Sequence, residues 1–94
     1  MYATVRRYKN AGALVEAMNA KTGEVKELIS GIPGFVGYYA TREGDSMTSI
    51  SIYNDKAGCD ESTRRAGEWV RANAKSMPGA PDVSSGEVFL NFSK

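Results

Sequence analysis

The 94 residues contain no histidine and a single cysteine, Cys59. The first absence removes Ser-His-Asp and Cys-His triads, the zincin helix and a proximal imidazole for haem. The second removes thiolate zinc sites, iron–sulfur clusters and any internal disulfide, which fits a reducing, cytoplasmic setting. Neither G-x-x-x-x-G-K-[ST] nor G-x-G-x-x-G occurs, and Asp and Glu are scattered rather than gathered into a repeating acidic cluster. No cofactor is therefore expected. No apolar run approaches the ~20 residues of a membrane span, and the opening "MYATVRRYKN" lacks the apolar core of a signal peptide. Charge of one sign is also missing. Twelve basic residues against eleven acidic ones leave a net +1, which gives no reason to expect nucleic acid or an anionic membrane as partner. Chemistry, if there is any, falls to Tyr, Trp, Arg, Asp, Glu, Ser, Asn, Lys or Cys59.

The length predicts a single domain over residues 1–94, with a small core that a partner subunit would help to stabilise. Residues 2–8 alternate as a strand, with Tyr2, Thr4, Arg6 and Tyr8 on one face and Ala3, Val5 and Arg7 on the other. Asn10 is positioned to cap a helix. From Ala11 the period changes: Ala11, Leu14, Val15, Met18, Val25, Leu28 and Ile29 form an amphipathic stripe running to about Ser30. Gly23 interrupts it and predicts a kink or a helix in two pieces. In "GIPGFVGYYA", Gly31 suits a left-handed helix end, and Pro33 prevents continuation. Gly34 permits a tight bend into a strand with Phe35, Gly37 and Tyr39 opposed to Val36, Tyr38 and Ala40.

A turn at "EGDS" makes the next run, "MTSISIYN", the second half of a hairpin. In it Ile50 and Ile52 oppose Ser49, Ser51 and Tyr53. Asn54 or Asp55 caps a second helix, expected from about Lys56 to Lys75 and ended by "SMPGAP". Its inner stripe is Cys59, Ser62, Ala66, Trp69, Val70 and Asn73, with Glu61–Arg65 and Arg64–Glu68 paired on the outside. "SGEVFLNFS" reads as a last strand, Val88, Leu90 and Phe92 against Glu87, Phe89 and Asn91. The order β-α-β-β-α-β is the ferredoxin-like α+β pattern, a four-stranded antiparallel sheet with two helices on one face. Apolar residues on both faces of the strands leave one face for a second sheet, so a homodimer packed sheet to sheet is expected.

"MYATVRRY", "IPGFVGYYA", "SISIYNDKAG", "AGEWV" and "SGEVFLNF" together resemble the antibiotic biosynthesis monooxygenase-like domains of the dimeric α+β barrel superfamily. The likeness runs over nearly the whole chain and specifies fold more than activity. It implies a pocket between sheet and helices, lined by Trp, Tyr, Asn and Arg. In the cofactor-independent oxygenases of that superfamily, a deprotonated aromatic substrate itself supplies electrons to oxygen. Haem degradation, another activity of the superfamily, uses a histidine that this chain lacks.

The candidate pocket residues are Trp69, Ser62, Asn73, Tyr39 and Arg6. Trp69 is either a core anchor or a pocket wall; the small and polar Ser62, Ala66 and Asn73 beside it favour a cavity with polar points. Tyr38 and Tyr39 point to opposite faces, so at most one meets such a pocket. Arg6 and Arg7 are opposed in the same way, and the inward one is placed either to stabilise an oxyanion or to sit in an ion pair. Cys59 reads as an inert buried thiol. Two functions stand open on these residues. One is cofactor-independent monooxygenation of a small aromatic or quinone-like molecule; the other is a non-catalytic small-molecule-binding or scaffold dimer.

Overall fold

The computed structural model describes residues 1–74 and 79–94. The chain runs β1 (Tyr2–Tyr8), α1 (Gly12–Ala20), α2 (Thr22–Ser30), β2 (Phe35–Glu43), β3 (Ser46–Tyr53), α3 (Lys56–Asn73) and β4 (Asp82–Glu87). The strands form one antiparallel sheet in the order β2-β3-β1-β4. This is the ferredoxin-like α+β fold, with its first helix in two pieces.

The break falls at Lys21, not at Gly23. Lys21 leaves helical geometry (φ −125°, ψ 39°). The Thr22 hydroxyl bonds back to the carbonyls of Met18 and Asn19 at 3.2 and 3.1 Å, taking acceptors that helix-end carbonyls otherwise leave open. Gly23 lies in the first turn of α2 instead. At the start of α1 the expected Asn10 cap is absent. Ala11 occupies the cap position without a side-chain bond, and Asn10 takes a left-handed turn at φ 54°. The Ala11 amide is satisfied from outside by the carbonyl of Asp45 at 2.8 Å.

The corner before β2 also differs from expectation. Gly31 stays right-handed at φ −74°, and Gly34 supplies the left-handed bend at φ 85°. A side chain at Gly34 would be strained whatever space surrounded it. Its carbonyl accepts from the Asn54 amide at 2.8 Å, fixing the corner to the end of β3. Immediately afterwards the pairing jumps from Phe35↔Tyr53 to Gly37↔Ile52. That bulge inserts one residue and reverses the phase. Phe35 therefore shares its face with Tyr38 and Ala40, rather than with Gly37 and Tyr39.

Asp55 caps α3, accepting from the Gly58 amide at 3.0 Å. The expected end of that helix at Lys75 and the stop at Ser76–Pro78 lie outside the described residues. The final strand is earlier than the sequence suggests. β4 ends at Glu87, and past the Val88 amide, which bonds the Met1 carbonyl at 2.9 Å, Phe89, Leu90 and Phe92 stand exposed.

Register lays the helix-side residues of the sheet in rows across the strands. Arg42, Met47 and Tyr8 form one; Ala40, Ser49 and Arg6 the next; then Tyr38, Ser51 and Thr4; then Phe35, Tyr53 and Tyr2. The middle of this floor is polar and buried, with Thr4, Arg6, Ser49 and Ser51 each 2% exposed or less. The isoleucines go the other way. Tyr39, Ile50 and Val5, and beside them Ile52 and Ala3, form the face that no helix among the described residues covers. Two apolar clusters flank the polar floor. One joins Tyr8, Ala11, Leu14, Met47, Trp69 and Val70; the other joins Ile29, Ile32, Tyr53 and Cys59.

Candidate functional site

A cleft of about 550 Å³ opens between the two-piece helix and strand β2. Val15 and Met18 of α1, Val25 and Ile29 of α2, and Phe35 and Tyr38 of β2 give it an apolar wall. Lys26, Thr41 and Arg42 stand at its exposed rim. Its volume falls in the range of small-molecule sites. The position follows from the helix break and the strand bulge. The break lets α2 set its own direction over β2, and the bulge turns both Phe35 and Tyr38 toward it.

Behind the cleft lies a smaller cavity of about 30 Å³, reaching Arg6, Tyr8, Ser49, Ala66 and Trp69. The two spaces share Met18, Val25, Ile29, Tyr38 and Met47 as walls. Arg6 is 1% exposed, and no carboxylate among the described residues pairs with it. Hydroxyl groups hold it instead. One terminal nitrogen donates to Ser62 Oγ at 3.3 Å and Thr63 Oγ1 at 3.0 Å; the other donates to Ser51 Oγ at 2.9 Å. Ser62 is itself anchored, donating to the Cys59 carbonyl at 2.7 Å.

Desolvating a cation costs several kcal/mol, and hydrogen bonds to a charged group return about 1.5–3 kcal/mol each. Three hydroxyl acceptors can hold Arg6 in place, but they leave its charge unneutralised. The charge acts on the phenols around it. Burial pushes the Tyr8 and Tyr38 hydroxyls up from the ordinary range while Arg6 draws them down, the nearby Ser49 hydroxyl adding to the downward pull on Tyr38. Tyr53, whose hydroxyl donates to the Ile29 carbonyl at 2.7 Å, is pushed up to about 12 by burial.

Of the five residues proposed from sequence, Arg6 and Trp69 line the inner cavity. Trp69 also packs in the core, and its indole N–H donates to Glu24 at 2.8 Å. Ser62 sits behind Arg6 as a support. Asn73 lines neither space; it donates to the Trp69 carbonyl and accepts from Lys21 at the helix break. Tyr39 is 64% exposed on the uncovered face, and Tyr38 is the tyrosine that meets the cleft. Ser49, Tyr8 and the cleft residues of α1 and α2 were missed. The serine alternation in "SISIY" was the available signal, since it puts hydroxyls on the face shared with Arg6. Cys59 is fully buried, its thiol donating to the Tyr2 carbonyl at 3.3 Å. Among the described residues no group of His, Cys, Asp and Glu is placed to hold a metal, and no helix is long and apolar enough to cross a membrane.

No family model matches this sequence, and no curated protein matches it. Solved structures do match. The cofactor-independent oxygenase SnoaB from Streptomyces nogalater superposes with a TM-score of 0.67 at 18% identity, over 99% of this chain and 97% of its own. A candidate antibiotic biosynthesis monooxygenase from Bordetella bronchiseptica gives a TM-score of 0.70 at 14% identity, over 95% and 97% of the two chains. A protein of unknown function from Nitrosomonas europaea gives 0.67 at 14%, over 99% and 93%. At these identities the likeness is one of fold. The chain has the architecture of antibiotic biosynthesis monooxygenase-like proteins.

Proposed function

We propose that residues 1–94 act as one domain that binds a small aromatic or quinone-like molecule in the cleft between the two-piece helix and β2, and oxidises it with dioxygen without a cofactor. The observation that carries this is the cleft: about 550 Å³, walled by apolar side chains, and separated only by shared wall residues such as Met18 and Met47 from a small cavity at the Arg6 cation. The fold shared with a cofactor-independent oxygenase supports it. For a substrate with an activated methylene, the overall change is CH₂ + O₂ → C=O + H₂O. The methylene carbon is oxidised by four electrons, dioxygen accepts them, and one oxygen atom leaves as water. Oxygen uptake with a panel of naphthols and anthrones, in protein free of flavin and metal, tests it. Stoichiometric uptake with a carbonyl product is expected, and the absence of uptake across the panel would leave binding alone.

That second reading has its own support. No carboxylate lines either space among the described residues, so the cleft offers no evident general base. A cytoplasmic small-molecule-binding or scaffold dimer is the function that remains if turnover is absent. The dimer belongs to both readings. Val5, Ile50 and Ile52 on the uncovered face and the exposed Phe89, Leu90 and Phe92 give a second copy an apolar surface to cover.

A further inference from the structure

Among the described residues no carboxylate lines the cleft, and the small cavity behind it holds a buried cation, Arg6, that no carboxylate pairs with. We infer that Arg6 and Ser49 form an oxyanion subsite, so that an acidic phenol or enol binds there as its anion, with the charged oxygen in the inner cavity and the ring in the cleft. This rests on the aromatic-ligand reading above and assigns the ligand's ionisation state and the residues that set it.

Among the described residues two buried side-chain atoms, Arg6 Nε and Ser49 Oγ, lack a partner in hydrogen-bonding geometry, the Tyr38 phenol being the polar group near Ser49. They belong to residues directly opposite each other across β1 and β3. Both residues line the same cavity, and both are at least 98% buried, with 1% and 2% of their surface exposed. Buried polar atoms without partners are uncommon, and two beside one void point to a missing occupant. At about 30 Å³ the void has room for roughly two water-sized groups, enough for a phenolate oxygen. Met18 and Met47 stand between it and the cleft, and unbranched thioethers shift readily. The anion supplies the charge that Arg6 lacks, and the Ser49 hydroxyl donates to it. The ligand's proton leaves to bulk water, so no protein base is needed.

Binding of 2-naphthol and of naphthalene under anaerobic conditions tests this, with Trp69 fluorescence as the readout and pH varied below the ordinary pKa of the phenol. If the anion binds, 2-naphthol affinity rises about tenfold per pH unit, because one proton is released per ligand. The bound ligand then shows the naphtholate absorption, and naphthalene shows no pH dependence. Arg6→Met removes the slope. Should Arg6→Met fail to fold, Ser49→Ala serves, and it lowers naphthol affinity severalfold while leaving naphthalene unchanged. Naphthol binding that is independent of pH, with the spectrum of the neutral phenol, overturns the subsite and leaves the aromatic cleft standing; an ordered water then fills the void. No quenching by either probe overturns both.

Discussion

The indole N–H of Trp69 on α3 donates to the carboxylate of Glu24 on α2 across 2.8 Å. The cleft's outer helix is thus fastened to the long helix by a polar bond at the edge of an otherwise apolar cluster. Trp69→Phe keeps most of the volume and loses the bond. It should lower unfolding free energy by about 1–3 kcal/mol, and Glu24→Gln, which keeps an acceptor, by under about 1 kcal/mol. Urea midpoints at unchanged m-value give the comparison.

Two glycines of α3 should respond oppositely to alanine. A β-carbon at Gly58 would lie 2.8 Å from atoms of the buried Tyr53 side chain, closer than real contacts permit. Gly58→Ala is therefore expected to cost roughly 1–3 kcal/mol. At Gly67 the nearest atom is the mobile end of Arg71 at 3.5 Å. Gly67→Ala should stabilise by about 0.5–1 kcal/mol through helix propensity. Thermal melts of the two variants decide both signs.

Alkaline pH should unfold the protein. The Tyr53 phenol ionises near 10.0 when free and is pushed up to about 12 in the fold, chiefly by burial. Below pH 10 it is neutral in both states and contributes no pH dependence. Between about 10 and 12 the unfolded chain loses the proton and the folded one keeps it, so stability falls as pH rises. The fall amounts to about 1.4 kcal/mol per unit and roughly 2–3 kcal/mol over the window. Tyr8 and Tyr38 shift in the same direction and add to it. Denaturant unfolding at stepped pH should show the decline, and Tyr53→Phe should make it shallower.

The uncovered face predicts assembly. Light scattering at micromolar concentration should give twice the 10.1 kDa chain mass. Ile50→Lys, placed mid-face opposite Val5 and Tyr39, should return it to the mass of one chain. A wild-type chain that stays folded as a monomer at that concentration would sink the dimer.

Element order was legible because period and punctuation agree along this chain. Leu14, Val15 and Met18 repeat as a helix face, Ile50 and Ile52 alternate as a strand, and Asp55 stands where a cap is needed. The ferredoxin-like fold followed. Tyr39 was misplaced because one bulge residue, Val36, reverses the phase of β2, and alternation has no means of registering an insertion that only pairing reveals. The position of the cleft was hidden for a related reason. It depends on where α2 points after Lys21, which is set by the Thr22 hydroxyl and by contacts far away in sequence. Arg6 could be named but not given its side of the sheet. Its burial is decided by Ser51, Ser62 and Thr63, none of which announces itself as an arginine partner. Asn10 and Gly31 show the same limit at single residues, where tertiary bonds overrode a reasonable local preference.

The interior position of β1 bears on how the chain comes together during synthesis. Residues 2–8 emerge well before their partners, which are residues 46–53 on one side and 82–87 on the other. Hairpin β2–β3 can close locally, but the sheet has no centre until β1 finds β3 across some forty residues. Loop closure over such separations is slow, and pairing of this kind places the protein among slower-folding small domains. Until α3 follows, the hydroxyl-lined bed for Arg6 is open to water. The Arg6 cation is therefore enclosed late, only once Ser51, Ser62 and Thr63 have followed it out of the ribosome.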